Sequence, residues 1–286
     1  MENSVRWRAR SLVVATYLGL VGLYSWPLPL HLWQQVVLAR GADFYQHAWN
    51  LWWVRFSIFT LGQNPYQTEY LHYPSGLPLV YHVLDPVNGV LSTPLQWAFG
   101  LIPAYNIMRL GHLLFAALAM YALCRLLRLP RWAAWLGGAL YMACPVTGTS
   151  FDLGQLVEVS TGWLPLYILC LIRALGNRAL GIAPGRWGWH VGAALALTAS
   201  ALATWYFFTA LVIFTGLYVA WEVVAGVRSS GRSSDRPEKA HDETNIMGPG
   251  DRPPTPEPRP LITIARATAI GALSALLLAE LEHLGR

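Results

Sequence analysis

Long apolar runs interrupted by very few charges constrain this chain more than any other feature. Of its 286 residues, 55% are hydrophobic and 12% are charged, which is too apolar and too poor in charge for a soluble domain of this size. Apolar runs of roughly 17 to 25 residues have the length of a bilayer-crossing helix. We therefore expect an all-α, multi-pass membrane helix bundle. About seven spans are predicted, at residues 11–32, 105–127, 132–147, 161–175, 189–203, 205–225 and 261–281.

The remaining composition also fits a membrane chain. Basic residues stand in short clusters between apolar runs and form no continuous basic face, so nucleic acid is not an expected partner. The first run continues past Pro27 and Pro29 without a small-x-small cleavage site, which favours a retained helix over a signal peptide. Cys124, Cys144 and Cys170 lie singly in apolar runs and are expected to be packing residues.

One further apolar run, residues 79–100, is hydrophobic enough to span but carries His82, Asp85, Asn88 and Pro94. These would leave polar side chains and freed backbone groups in lipid. When this run is placed along the external surface, all basic clusters fall on one side, as the positive-inside rule requires. We therefore expect the plasma (inner) membrane, with a cytoplasmic N-terminus. The clusters are Arg6, Arg8 and Arg10; Arg125, Arg128 and Arg131; Arg173, Arg178 and Arg186; Arg228, Arg232, Arg236 and Lys239.

This threading divides the chain into three parts. Residues 1–227 are predicted to form the membrane bundle, with a long external segment at 38–104 and a short one at 148–160. Residues 228–260 are Ser, Pro and Gly with mixed charge and almost no apolar side chains, so we expect a disordered cytoplasmic linker. Residues 261–286 are expected to carry a C-terminal membrane helix.

All five carboxylates that lie between Arg10 and Trp221 fall in the two external segments. Ionisable groups beside a bilayer are costly to desolvate, so they tend to mark an ion, proton or substrate site. We therefore expect any chemistry at the external face. The five carboxylates are Asp43, Glu69, Asp85, Asp152 and Glu158.

The long external segment is predicted to begin with an amphipathic helix over residues 43–61. Asp43, His47 and Asn50 recur at helical spacing on a polar stripe, and Trp and Phe side chains occupy another face that would lie among lipid headgroups. Asp43 stands at the N-terminus, where the helix dipole favours an anion. The alternative is that Asp43 is only an N-cap and the Trp residues only an aromatic belt.

Two later stretches of the same segment carry further candidate ligand-binding side chains. His82 and Asp85 begin a second polar stripe on the run 79–100, which is predicted to be another interfacial helix. The turn-rich stretch 64–76 carries His72 and Tyr73, whose side chains suit contact with a polyhydroxylated ligand. A loop that merely packs on the protein surface explains the second stretch nearly as well.

The short external segment carries Asp152, Gln155 and Glu158 at spacing i, i+3, i+6. Asp152 is expected to supply a second carboxylate or one ligand of a divalent metal, although the sequence has no compact metal motif. Solvated loop acids are the alternative. Arg109 lies near the outer end of the second span, where it would hold a lipid phosphate or pair with Asp85.

The order of these features resembles a known superfamily. A first span is followed by a long external segment, which opens with an acidic residue on an aromatic helix. Further spans follow, and a second acidic segment lies among them on the external side. Over about residues 1–206 this is similar to the GT-C integral-membrane glycosyltransferases. The stretches that carry the resemblance are Gly41-Ala42-Asp43-Phe44, Trp49-Asn50-Leu51-Trp52-Trp53, Tyr73-Pro74-Ser75-Gly76 and Ala104-Tyr105-Asn106.

The resemblance implies transfer of a sugar from a polyprenyl-phosphate donor to an acceptor on the external side. It implies that Asp43 is the general base or a carboxylate that positions the acceptor, that Asp152 assists metal or acceptor binding, and that Arg109 neutralises the donor phosphate. The chain departs from the family pattern because Asp152 is not part of an acidic pair, which leaves metal dependence open. The other expected substrate-binding residues are His47, Asn50, His72, Tyr73, His82, Asp85, Gln155 and Glu158.

The main alternative is a non-catalytic membrane protein, either a lipid-linked-sugar transporter or a binding subunit that works with a partner membrane subunit. A transporter would place polar groups at mid-bilayer on several helices, commonly in repeated halves, whereas these spans are nearly free of charge and show no inverted repeat. The enzyme is therefore favoured. The end of the sequence at Arg286, soon after the last span, also suggests a truncated and inactive relative.

Overall fold

The computed structural model describes residues 2–37, 43–234, 266–271 and 274, and these residues are mostly helical, as the sequence predicts. Two short strands, β1 (Gln67–Thr68) and β2 (Leu77–Pro78), pair as an antiparallel hairpin. Ten α-helices lie between Glu2 and Ser234. They are α1 (Glu2–Tyr24), α2 (Asp43–Phe56), α3 (Pro86–Phe99), α4 (Leu101–Leu126), α5 (Arg131–Met142), α6 (Pro145–Leu153), α7 (Leu156–Val159), α8 (Trp163–Leu175), α9 (Trp187–Ala203) and α10 (Trp205–Ser234).

Three stretches of the described chain are long and apolar enough to cross a membrane: Leu101–Leu126, Leu156–Leu175 and Trp205–Gly226. Helices α5 and α9 have 12 and 17 residues. At about 1.5 Å per residue α5 is well short of the ~30 Å hydrocarbon core, and α9 is at the lower limit of the lengths that span it. The predicted total of about seven spans is therefore not confirmed, and most of the predicted span at 261–281 lies outside the described residues.

Helices are present in both stretches that the sequence predicts to be interfacial. Helix α2 begins at Asp43, and a π-helical turn, Ser57–Leu61, extends it to the predicted end. The run 79–100 contains α3, which starts at Pro86 and has only 14 residues, so it is too short to span. The segment 148–160, predicted to be a loop, instead contains the end of α6 and all of α7.

The long apolar stretch after Trp189 is divided as the sequence predicts. Helix α9 ends at Ala203, Thr204 is extended, and α10 begins at Trp205. Helix α10 then continues to Ser234, so residues 228–234 are helical where a disordered linker was predicted. The rest of that linker lies outside the described residues, as do residues 38–42 of the first external segment.

Helix α4 lies at the centre of the fold and packs against α1, α2, α3, α5, α7 and α8. It comes closest to α5 at Gly138, where a methyl group would overlap the Tyr17 hydroxyl and the Ala117 carbonyl oxygen. Such small residues let helix backbones approach closely in membrane bundles. The Tyr17 hydroxyl then donates to the carbonyl of Trp135 at 2.8 Å and ties α1 to α5. The polar residues of α4 are thereby held in fixed positions.

Trp53 on α2 is packed inside the protein, which corrects for this residue the expectation that the Trp side chains lie among lipid headgroups, whereas Trp49 and Trp52 are half-buried. Trp53 is fully buried against Leu79 and Leu84, and its indole N–H donates to the carbonyl of Pro65 at 2.8 Å. Helical periodicity cannot distinguish an aromatic face buried in the protein from one that faces lipid. The chain that covers Trp53, residues 64–84, carries no long apolar helix that would signal the burial. Helix α2 packs against α3, α4 and α7.

Candidate functional site

The polar stripe of α2 meets the second acidic segment. The Gln155 amide Nε2 donates to Asp43 Oδ2 at 2.7 Å, and His47 Nε2 lies 3.9 Å from Glu158 Oε2. Asp43 and His47 are one helical turn apart on α2, so the two contacts lie next to each other along one side of the helix. We call Asp43, His47, Gln155 and Glu158 the carboxylate cluster. The sequence placed these four side chains on two separate segments, and the structure brings them together.

Burial controls the charge of His47. Its side chain is almost fully enclosed, and this burial lowers the pKa of His47 to about 4, although the neighbouring Asp43 carboxylate raises it. His47 is therefore a neutral imidazole near pH 7. Its contact with Glu158 is consequently between a neutral ring and a carboxyl group, and His47 does not neutralise the cluster.

A second set of contacts joins α2 to the stretch before α3. The Asn50 amide donates to the carbonyl of Val83, and its Oδ1 lies 3.0 Å from His82 Nε2. Partial burial lowers the pKa of His82. Asn50 and His82 therefore contact each other, as expected for residues of one site, and His82 also lies close enough to His47 to disfavour its protonation.

Asp85 lies in a buried hydrogen-bonded network rather than on an exposed surface. It caps α3 with a left-handed backbone at φ +55°, and its carboxylate accepts from both the backbone N–H (3.2 Å) and the side-chain amide (2.6 Å) of Asn88. The same Asn88 amide donates to Ser160 Oγ at 2.9 Å, and Asn88 Oδ1 lies 2.6 Å from His112 Nε2. Asn88 thus links α3, α4 and the residues that precede α8.

Desolvation by burial raises the pKa of Asp85 from 3.8 to about 7, although the two Asn88 hydrogen bonds oppose this rise. Asp85 is protonated in both states below about pH 4 and ionised in both above about pH 7. The stabilisation that its neutral form provides is therefore complete below about pH 4 and is lost as the pH rises to about 7.

We expect Asp85→Asn to reduce this pH dependence. The difference in unfolding free energy between pH 4 and pH 8 should shrink by on the order of 4 kcal/mol relative to the wild type, because one pKa unit corresponds to ~1.4 kcal/mol. Thermal or denaturant unfolding across this pH range measures the difference. Glu69→Gln, the matched change at an exposed carboxylate, is the control. An unchanged pH profile in Asp85→Asn would contradict the buried neutral carboxyl.

Arg109 is fully buried on α4 and does not pair with Asp85. Its guanidinium donates to the carbonyls of Val37 and Phe151 and lies 3.9 Å from the centre of the Phe151 ring. Asp152, one residue further, is exposed and acts electrostatically on Arg109. Arg109 therefore places a positive charge beneath the second acidic segment while it holds that segment to the chain before α2.

Two expected substrate-binding residues lie apart from these contacts. His72 and Tyr73 are exposed on the turn between β1 and β2, and the carbonyl of His72 accepts from Ser75 Oγ at 3.0 Å within the same turn. Within the described residues, no group of three or more His, Cys, Asp or Glu side chains could hold a metal ion. The geometry therefore gives no support to the divalent metal considered from the sequence.

Sequence reasoning missed three residues that hold this region together. Asn88 was noted only as a reason to reject a span, yet it is the centre of the buried network. Asn106 donates to the carbonyls of Leu32 (2.9 Å) and Gln35 (3.0 Å), and the Tyr105 hydroxyl donates to that of Gly154. These residues could have been recognised because they are polar side chains inside apolar runs, where a polar group without a hydrogen bond costs free energy.

Comparison with protein-family models, with curated proteins and with solved structures finds no match for this chain. The similarity to GT-C glycosyltransferases therefore rests on the sequence motifs alone. Three of those motifs contribute to the contacts above: Asp43 in the carboxylate cluster, Asn50 in the contact with His82, and Tyr105 with Asn106 in hydrogen bonds to backbone carbonyls.

Proposed function

We propose that this chain is a membrane glycosyltransferase of the GT-C type. It would move a sugar from a polyprenyl-phosphate donor to an acceptor on the external face of the plasma membrane. The single observation that supports this best is the hydrogen bond from Gln155 to Asp43, which joins the two acidic segments that the proposal requires to act together.

In this proposal Asp43 is the general base. Gln155 holds one carboxylate oxygen, and the other oxygen accepts the proton of the acceptor hydroxyl as that hydroxyl oxygen bonds to the anomeric carbon. The bond between the anomeric carbon and the phosphate oxygen breaks, and polyprenyl phosphate leaves with the bonding electron pair. The buried positive charge of Arg109 would favour the departing phosphate, and exposed Asp152 would contact the acceptor.

The two ends of α4 support the proposed placement in the membrane. Arg109 lies in its first half, beside the carboxylate cluster, and Arg125 lies in its last turn. They are 16 residues apart, about 24 Å along the axis at ~1.5 Å per residue, which is comparable with the thickness of the hydrocarbon core. The arginine-rich end would therefore be cytoplasmic and the carboxylate cluster external.

A transfer assay tests the proposal. Membranes that contain the full chain are supplied with polyprenyl-phosphate carrying a tritiated hexose, and the label that leaves the lipid fraction is measured. Transfer above the level of membranes without the chain supports the enzyme. Retention of the labelled donor without any transfer would contradict it.

That second outcome is the one expected of a non-catalytic binding subunit. The burial of Arg109 favours this alternative, because two of its donors are already used by backbone carbonyls and do not face an open site. Such a subunit would present the donor to a partner membrane protein. It would bind the lipid-linked sugar but leave the label in the lipid fraction.

A further inference from the structure

A cavity of about 590 Å³ lies at the end of α4 that is remote from the carboxylate cluster. Its volume is within the range of small-molecule sites. Residues from α1, α4, α5, α8 and α9 line it, so it sits where five helices meet. Four of the lining residues are arginines, each on a different helix: Arg10, Arg125, Arg131 and Arg173.

The electrostatics of this arginine cavity favour an anion. Among the residues that the structure describes, no acidic side chain lines it and none of the four arginines forms an ion pair. Helices α5 and α9 both begin beside the cavity, at Arg131 and Trp187. Neither has a side-chain N-cap or an acidic residue in its first turn, so the positive ends of two helix dipoles add to the four guanidinium charges.

The remaining walls are apolar and aromatic. Val13, Leu126 and Leu169 line the cavity between the arginines, and Trp189 lies under the guanidinium of Arg173 at 5.7 Å. A free anion would use only the charges, whereas an amphiphile would use both kinds of wall. Basic pockets between membrane helices on the cytoplasmic side suit lipid headgroups.

We propose that the arginine cavity binds the phosphate-bearing headgroup of an anionic membrane lipid. The four arginines are exposed and partly screened by water, yet they converge from four helices on one cavity and place four like charges around it. A bound phosphate offsets the repulsion between these charges and accepts paired hydrogen bonds from guanidinium groups. The proposal rests on the bilayer placement proposed above but not on sugar transfer, so lipid binding is measured in the absence of any sugar donor.

The experiment compares two charge-matched double variants of the full chain. Arg125→Gln/Arg173→Gln removes two cavity charges, and Arg128→Gln/Arg186→Gln removes two exposed charges outside the cavity at the same end. Each purified protein is incubated with phosphatidylglycerol or phosphatidylcholine in detergent, and retained lipid is counted by native mass spectrometry. Inorganic phosphate is added in a parallel arm to separate a headgroup from a free anion.

We expect the wild type and the Arg128/Arg186 variant to retain phosphatidylglycerol in preference to phosphatidylcholine. The Arg125/Arg173 variant should bind it about 25-fold more weakly, at about fivefold for each arginine near an anionic headgroup. Arg10→Gln/Arg131→Gln should weaken lipid binding to the same extent. This second double variant tests whether the effect of the first arises from misfolding. Equal weakening by cavity and non-cavity pairs, equal retention of both lipids, or full displacement by inorganic phosphate would each overturn the proposal.

Discussion

Asp43→Asn should lower the rate of sugar transfer by about 10²- to 10⁴-fold, which is the usual contribution of a positioned general base. Asparagine has nearly the same shape and its side-chain carbonyl can still accept the hydrogen bond from Gln155, so the contact between α2 and the second acidic segment should persist. The activity would therefore fall because residue 43 could no longer accept the proton of the acceptor hydroxyl. Initial rates with the tritiated donor measure it.

The control for this experiment is Glu69→Gln. Glu69 belongs to the same external segment but is exposed and lies outside the carboxylate cluster, so its substitution makes the same change of charge without touching the site. Transfer by this variant should match the wild type. If Asp43→Asn retained wild-type activity at equal expression, Asp43 would not be the base.

Asn88→Leu should lower the free energy of unfolding by about 4 kcal/mol. Leucine has a similar volume but would remove one hydrogen bond from each of three buried partners, namely Asp85, Ser160 and His112. Asp85 would keep the backbone N–H of residue 88 and Ser160 would keep the carbonyl of Leu156, whereas His112 Nε2 would lose its partner. Each hydrogen bond lost from such a buried network costs about 1–3 kcal/mol, and one to a charged group costs more. Equilibrium unfolding in detergent, at one pH above 7 and one below 5, measures the change.

The loss caused by Asn88→Leu should be larger at the higher pH, where Asp85 is ionised and most needs a donor. Gln67→Leu removes a side-chain amide from an exposed strand position and serves as the control. Wild-type stability in Asn88→Leu would show that the network does not hold α3 to α4.

Much of the fold was predictable because its signals are local. Helical periodicity predicts α2 from Asp43, and an aromatic group after a long apolar run predicts the break at Thr204. The length of α3 agrees with the charge argument that residues 79–100 do not span. The distribution of charged residues between apolar runs likewise assigned every carboxylate of the site to two segments.

The partners of the polar residues were not predictable, because they are defined by tertiary contact. Arg109 uses two backbone carbonyls, which any residue can offer, and so the sequence suggested a carboxylate instead. Trp53 looked like a lipid-facing residue because the loop that covers it has no regular pattern. The role of Asn88 depends on Ser160, which is 72 residues away in the chain.

Paired cysteines test most directly whether the two acidic segments form one site. In a chain whose three natural cysteines are replaced by serine, His47→Cys with Glu158→Cys should form a disulfide on mild oxidation in intact membranes, because these side chains lie 3.9 Å apart. His47→Cys with Arg186→Cys, which pairs the same position with the arginine-rich end, should not be joined. Failure of the first pair, or equal linking of both, would contradict the convergence on which the proposed sugar transfer depends.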